Sequence, residues 1–225
     1  MTVTESLPVV DAVRRALEID EQVPADATAP DVPRRVRAVL TLTTNIACAP
    51  AQLWPLLTRP GELERWFGPV SGELIEGGRF EAPDGALGRI LQVQEPHRIS
   101  LTWDQGAGED PLLIQLDPED DGTTQLMLRH AVELEAEEFA RTGPGVLALG
   151  WEIALLALAA HTDGWQATCL APVPSPTPRW RHGAQGEQYL RAWSVRWAAE
   201  AIAAGVEEAA ARQGEAETLR RHLPA

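Results

Sequence analysis

VLALGWEIALLALAAH, residues 146–161, has the length of a helix of about four turns but almost no polar side. At about 100° per residue, Leu147, Trp151, Leu155 and Leu158 fall on one face, and Leu149, Ile153, Leu156 and Ala160 on the opposite one. A surface helix carries charge on the side away from the core. Here that side is aliphatic, and leaving its three large side chains in water would forgo ~1.5–3 kcal/mol each. The run is shorter than the ~20 residues of a membrane span and contains Glu152. It is therefore read as a central helix of a soluble fold, covered on both sides.

Upstream lies material for one cover. Arg35–Ile46 is strand-like, with Leu40, Leu42 and Ile46 in one phase and threonines between. APAQLWPLLTRPGELERWFGP follows; Pro50 and Pro60 each suit a first helical turn, which predicts short helices near 50–57 and 60–66. Strands are then predicted at Gly72–Ile75, Arg79–Ala82, Leu87–Gln94, Arg98–Trp103, Leu112–Leu116 and Thr124–Leu134. Turn residues separate them: GG at 77–78, PDG at 83–85, EPH at 95–97 and EDDG at 119–122. An acidic connection, ELEAEEFARTGPG, leads into the opening helix. Strands segregated from helices in this order predict an α+β domain, an antiparallel sheet wrapped on one long helix.

The other cover is expected downstream. LAPVPSPTPRW, with prolines at 172, 174, 176 and 178, predicts an extended connector. Beyond it the chain is Ala-, Glu- and Arg-rich and is predicted helical, broken at Gly205 or Gly214. Leu190, Trp193, Trp197 and Ala204 form one apolar stripe; Val195, Ala198, Ile202 and Val206 form a second. The first suits the back of the central helix. The second predicts a possible homodimer through residues 186–225. At the other end a short helix is predicted at Pro8–Ile19, followed by the linker VPADATAPDVP. The organisation read from sequence is thus a 1–34 helix and linker, a 35–164 domain, a 165–185 connector and a 186–225 helical extension.

The chain is 225 residues with 44% hydrophobic and 23% charged residues, an ordinary globular composition. Its net charge is −14, and all 19 basic residues are arginine. That balance repels phosphate backbones and anionic lipid, so neither nucleic acid nor membrane is an expected partner. Cys48 and Cys169 lack the spacing of a zinc site or a disulfide framework. The start MTVTESLPVV has no basic and apolar leader, so the protein is expected to be cytoplasmic. No nucleophile motif, nucleotide-binding glycine loop or cluster of metal ligands is present, and neither a metal nor a cofactor is expected.

The run APAQLWPLLTRPGELERWFGP, then GGRF (77–80), GRILQVQEPHRISLTW (88–103), DGTTQLMLRH (121–130) and GWEIALLAL (150–158), resembles the homologues of the heat-shock-protein ATPase activator, in the START-like, helix-grip superfamily called SRPBCC. The resemblance covers roughly residues 35–164. It implies a curved antiparallel sheet gripping the long helix, with a cavity between them that binds an apolar or aromatic small molecule. Trp54, Trp66, Phe67, Phe80, Trp103 and Trp151 match family positions; Arg59 departs from the acidic residue many members carry before the proline.

Strand alternation selects further cavity candidates. Ile99, Leu101 and Trp103 share a face, as do Leu112, Ile114 and Leu116, and Leu126, Leu128 and His130. The residues expected to meet a ligand are the six aromatics together with Leu128, His130, Leu147 and Leu155. Trp54, Trp66 and Phe67 are either an aromatic lid or a hydrophobic plug. His130 and Glu152 are the candidate acid/base groups if the cavity is catalytic, as in a cyclase or dehydratase. Otherwise His130 is a satisfied core histidine, and Glu152 pairs with an arginine such as Arg89 or Arg129. A third alternative is a co-chaperone-like or regulatory protein-interaction module.

Overall fold

The period-two pattern at 35–46 is realised in the computed structural model, which describes residues 8–22, 33–106, 108–162, 164–165 and 173–223. Strand β2 (Arg35–Ile46) buries its even-numbered residues, from Val36 to Ile46. Helices α1 (Pro50–Thr58) and α2 (Pro60–Trp66) each start at a proline, as expected. Strands β3 (Ser71–Gly72), β4 (Arg79–Glu81), β5 (Leu87–Gln94), β6 (Arg98–Trp103), β7 (Asp110–Pro118) and β8 (Thr124–Glu135) follow. With β1 (Val13–Gln22) they make one curved antiparallel sheet in the order β1-β2-β8-β7-β6-β5-β4-β3. The fold is α+β, as the sequence predicts.

β1 is a correction. The helix predicted at Pro8–Ile19 is instead a single 3-10 turn, Pro8–Ala12, running into a strand. Val13, Arg15, Leu17 and Ile19 do alternate, but an arginine in the inward phase hides the period of two. Pairing with β2 along the whole strand, Val13 opposite Thr44 to Gln22 opposite Arg35, decides the conformation. The sheet therefore starts at Val13 and not at Arg35. The predicted strand Gly72–Ile75 shrinks to Ser71–Gly72 because the chain turns at once. Gly72 has φ +103°, and a Cβ there would lie 2.3 Å from the Arg79 carbonyl oxygen. The acidic connection is not a plain loop either, since α3 (Ala136–Thr142) forms and Gly143, at φ +63°, ends it.

The opening stretch is helix α4 (Gly145–His161), and both of its faces are covered. Trp151, Leu155 and Leu158 meet the sheet side, while Leu149 and Leu156 on the rear are 0% exposed. The rear cover is α6 (Ala184–Ala203), whose Leu190, Trp193 and Trp197 are buried. The tail thus spends its main stripe within its own chain; of its second line, Ala198 is buried and Val195 exposed. Gly205, at φ +95°, breaks the tail as one of the two predicted glycines. Gly214 does not; it lies inside α7 (Glu208–His222), where a Cβ would sit 2.9 Å from the Gly143 Cα. A close helix crossing, and not a turn, is what that glycine serves.

The connector has no regular structure at 173–177, and Pro178 opens a further helical turn, α5 (Pro178–Arg181), capped by the Thr177 side chain. The exclusion of helix from LAPVPSPTPRW (170–180) is corrected accordingly. Residues 23–32 of the predicted linker and Cys169 lie outside the described residues. Among the described residues no single helix is long and apolar enough to cross a membrane.

Candidate apolar cavity

Inward-facing residues of β4 to β8 form the floor of a cavity that α4 roofs and α1, α2 and the segment up to Leu74 close at one end. Its volume is about 120 Å³. Ile99 and Leu101 of β6, Leu112 and Ile114 of β7, and Leu126 and Leu128 of β8 supply aliphatic wall. Ala154, Leu155 and Leu158 supply it from the helix. An aromatic chain runs through it. Ring centroids lie 5.4 Å apart for Trp66 and Phe67, 6.3 Å for Phe67 and Trp103, 6.0 Å for Phe80 and Trp103, and 5.1 Å for Trp103 and Trp151. Trp66 and Phe67 are half-buried.

Polar groups in this wall are few, and those of Thr58, Trp66 and Trp151 are engaged elsewhere. The Thr58 hydroxyl donates to the Trp54 carbonyl at 2.8 Å, and the Trp66 indole donates to the Leu56 carbonyl at 3.0 Å. Trp151 Nε1 donates to His130 Nδ1 at 3.1 Å. Among the described residues no charged side chain lines the cavity.

The sequence-predicted residues divide. Trp66, Phe67, Phe80, Trp103, Leu128, Trp151 and Leu155 lie on the cavity wall. Trp54 is buried in the core off the wall, as a plug would be, and Leu147 is half-buried one turn too early on α4 to reach it. His130 sits off the lining, in contact with the wall residue Trp151. Sequence reasoning missed Leu57, Thr58, Leu63, Val70 and Leu74, whose helices and turns have no strand phase. It also missed Ile90 and Val93, because a register shift in β5 between Ile90 and Gln92 breaks the alternation.

Of the two readings of Glu152, partnership with His130 is not formed, and pairing with an arginine is. Glu152 points to the rear of α4, fully enclosed, and takes a two-pronged contact from Arg15 at 2.6 and 2.9 Å. The Trp197 indole donates to the same carboxylate at 2.8 Å. Arg15, and neither Arg89 nor Arg129, is the arginine that completes the pair; Arg129 reaches Glu18 on the surface at 3.5 Å. Arg15 was hidden because its strand was read as a helix. On the sheet side, burial pushes the His130 imidazole down from 6.5 to about 4. It is therefore neutral near pH 7, and a neutral ring that accepts at Nδ1 carries its proton on Nε2. That nitrogen is buried without a hydrogen-bond partner among the described residues. The core-histidine reading fits Nδ1, which is bonded to a neighbouring side chain, while the acid/base alternative meets a ring of lowered basicity.

A family model described as Activator of Hsp90 ATPase homolog 1-like protein matches residues 47–163, just over half of the chain. The crystal structure of CalU16 from Micromonospora echinospora is similar with TM-score 0.59 at 24% identity, covering 84% of this chain and 98% of that one. Its solution structure gives 0.59 at 26% identity, covering 86% and 97%. A protein of unknown function from Enterococcus faecalis shares the fold, with TM-score 0.51 at 19% identity over 73% of this chain and 86% of that one. No curated protein matches the chain. The likeness to CalU16 runs past residues 47–163 into the flanking elements. On the match over this cavity-bearing segment, the chain belongs to the Activator of Hsp90 ATPase homolog 1-like family, with its START-like, helix-grip fold.

Proposed function

We propose that this chain binds a neutral, apolar or aromatic small molecule in the cavity between sheet and α4. The carrying observation is the wall itself: aliphatic and aromatic throughout, except for Thr58, whose hydroxyl is already bonded to backbone. A charged group placed there would lose its hydration with no partner in return. Size narrows the class. An apolar cavity of about 150 Å³ takes up benzene, so the present 120 Å³ accommodates about one ring. A larger occupant must displace wall side chains such as Trp66 and Phe67. A cytoplasmic setting belongs to this proposal, supported by a chain with two cysteines and no disulfide spacing.

Benzene and toluene, each of one ring, are suitable probes. Each is expected to raise the melting temperature in a saturable way, by the equivalent of about 2.7 kcal/mol at a hundred times its Kd. Ala154→Leu, which adds a side chain into the cavity, should abolish the shift. If neither probe stabilises the protein and native mass spectrometry finds nothing co-purified, the proposal fails. The catalytic alternative loses the convergence of His130 and Glu152 on which it was built. The co-chaperone alternative keeps only the family name in support, and fold does not fix function.

A further inference from the structure

The two edges of the sheet are built differently. β3 is two residues long and turns away at Gly72, a short edge of the kind that discourages further pairing. β1 runs ten residues in unbroken register with β2 and contains neither proline nor bulge. Among the described residues no strand pairs with its outer side. An inward-pointing charge often guards such an edge, but Arg15 is already neutralised by Glu152 and its side chain is 5% exposed. The strand is also held in place before any partner arrives. Arg15 anchors it to α4, the Thr44 hydroxyl donates to the Ala12 carbonyl at 2.8 Å, and Arg196 of α6 donates to Asp11 at 2.9 Å.

We propose that β1 pairs antiparallel with β1 of a second copy across a two-fold axis, making one sheet continuous through both chains. Pleat and charge fix the register. Inner residues stay on the inner face only if residues of the same parity stand opposite one another. Two such registers keep nearly the whole strand paired, with either Leu17 or Glu18 on the axis. Glu18 on the axis would set two carboxylates directly opposite, which is destabilising. Leu17 on the axis places exposed Arg14 opposite Asp20 of the partner subunit, twice by symmetry, with Glu18 of the partner subunit on the diagonal. Within its own chain Glu18 is met by Arg129 at 3.5 Å. The face is thus complementary to itself in one register and mismatched in its neighbour. The net charge of −14 on each copy opposes the approach at long range, and physiological salt screens that repulsion beyond ~8 Å.

Sedimentation equilibrium on the full chain at about 0.15 M salt tests the assignment, with Arg14→Asp and Asp20→Arg as variants and circular dichroism melts to confirm folding. The wild type is expected to dimerise reversibly. Each variant sets like charges opposite at two symmetric positions and should associate about tenfold more weakly or worse. An equimolar mixture of the two restores opposite charges at both positions and should dimerise again. Asp20→Arg also faces Arg37 of β2, so if it does not fold, Arg14→Asp, which faces Thr43, carries the test alone. A monomeric wild type, variants that dimerise like wild type, or a mixture no tighter than its components overturns the proposal.

Discussion

Trp151 and Glu152 are consecutive residues of α4, yet one borders open space and the other is enclosed on every side. The front of the helix meets side chains that ask only for contact, and their shapes leave a cavity. The rear carries a charge that cannot be left unpaired, so Arg15 from β1 and Trp197 from α6 are drawn onto one carboxylate. Apolar packing tolerates a void, whereas a buried ion pair prescribes its neighbours. In this chain the tolerant interface lies within the family core and the demanding one ties in the flanking segments.

The sharpest way to break that contrast is Glu152→Gln. It strands the Arg15 guanidinium in the interior, and urea unfolding should show a loss of about 3–5 kcal/mol. Arg15→Met combined with Glu152→Leu should recover most of it, because removing both charges removes the need for either. A loss below about 1 kcal/mol for the single change would mean that the rear is not organised by this pair.

Next in size is a pH effect on the sheet side. The His130 imidazole sits at about 4 when folded, against 6.5 when free. Between those values the unfolded chain binds the extra proton, so the stability His130 contributes is full above pH 6.5 and is lost as pH falls toward 4. The amount is about 3 kcal/mol. Asp110, raised by burial to about 6, works in the opposite direction: its folded form takes up a proton first and gains stability on acidification. His130→Asn keeps an acceptor for Trp151 but does not titrate. Its stability relative to wild type should therefore improve steadily from pH 6.5 to 4, and a difference that stays constant with pH would refute the assignment.

The smallest effect compares like substitutions on the two sides. Ala154→Leu enters the cavity and should change stability by less than about 1 kcal/mol. Ala201→Leu on α6, one turn past Trp197 and 1% exposed, overpacks a filled interface and should cost about 1–3 kcal/mol. Equal costs would remove the distinction between the faces.

How much of this was legible follows the same division. The two apolar faces of 146–161 implied a cover on each, and the sheet and α6 are those covers. Alternation in β6, β7 and β8 placed Leu101, Leu112 and Leu128 on the cavity wall because those strands keep their register. It failed in β5, where a bulge brings Ile90 and Val93 to one side. It failed more completely at Val13–Gln22, since an arginine is inward only when something far along the chain receives it. Glu152 is that receiver, 137 positions away. Local pattern carries no trace of such a pairing. His130 was found by phase, but its hydrogen bond comes from Trp151 of another element and its depressed basicity from burial.

The aromatic chain through the cavity has one more consequence. Trp103 and Trp151 hold their rings 5.1 Å apart at 59°, on the surface an occupant would touch. Two indoles that close share their electronic excitation, and the coupling depends steeply on their mutual tilt. The protein therefore carries an intrinsic optical gauge at its centre, and whatever enters should register in the ellipticity of its own tryptophans with no dye attached.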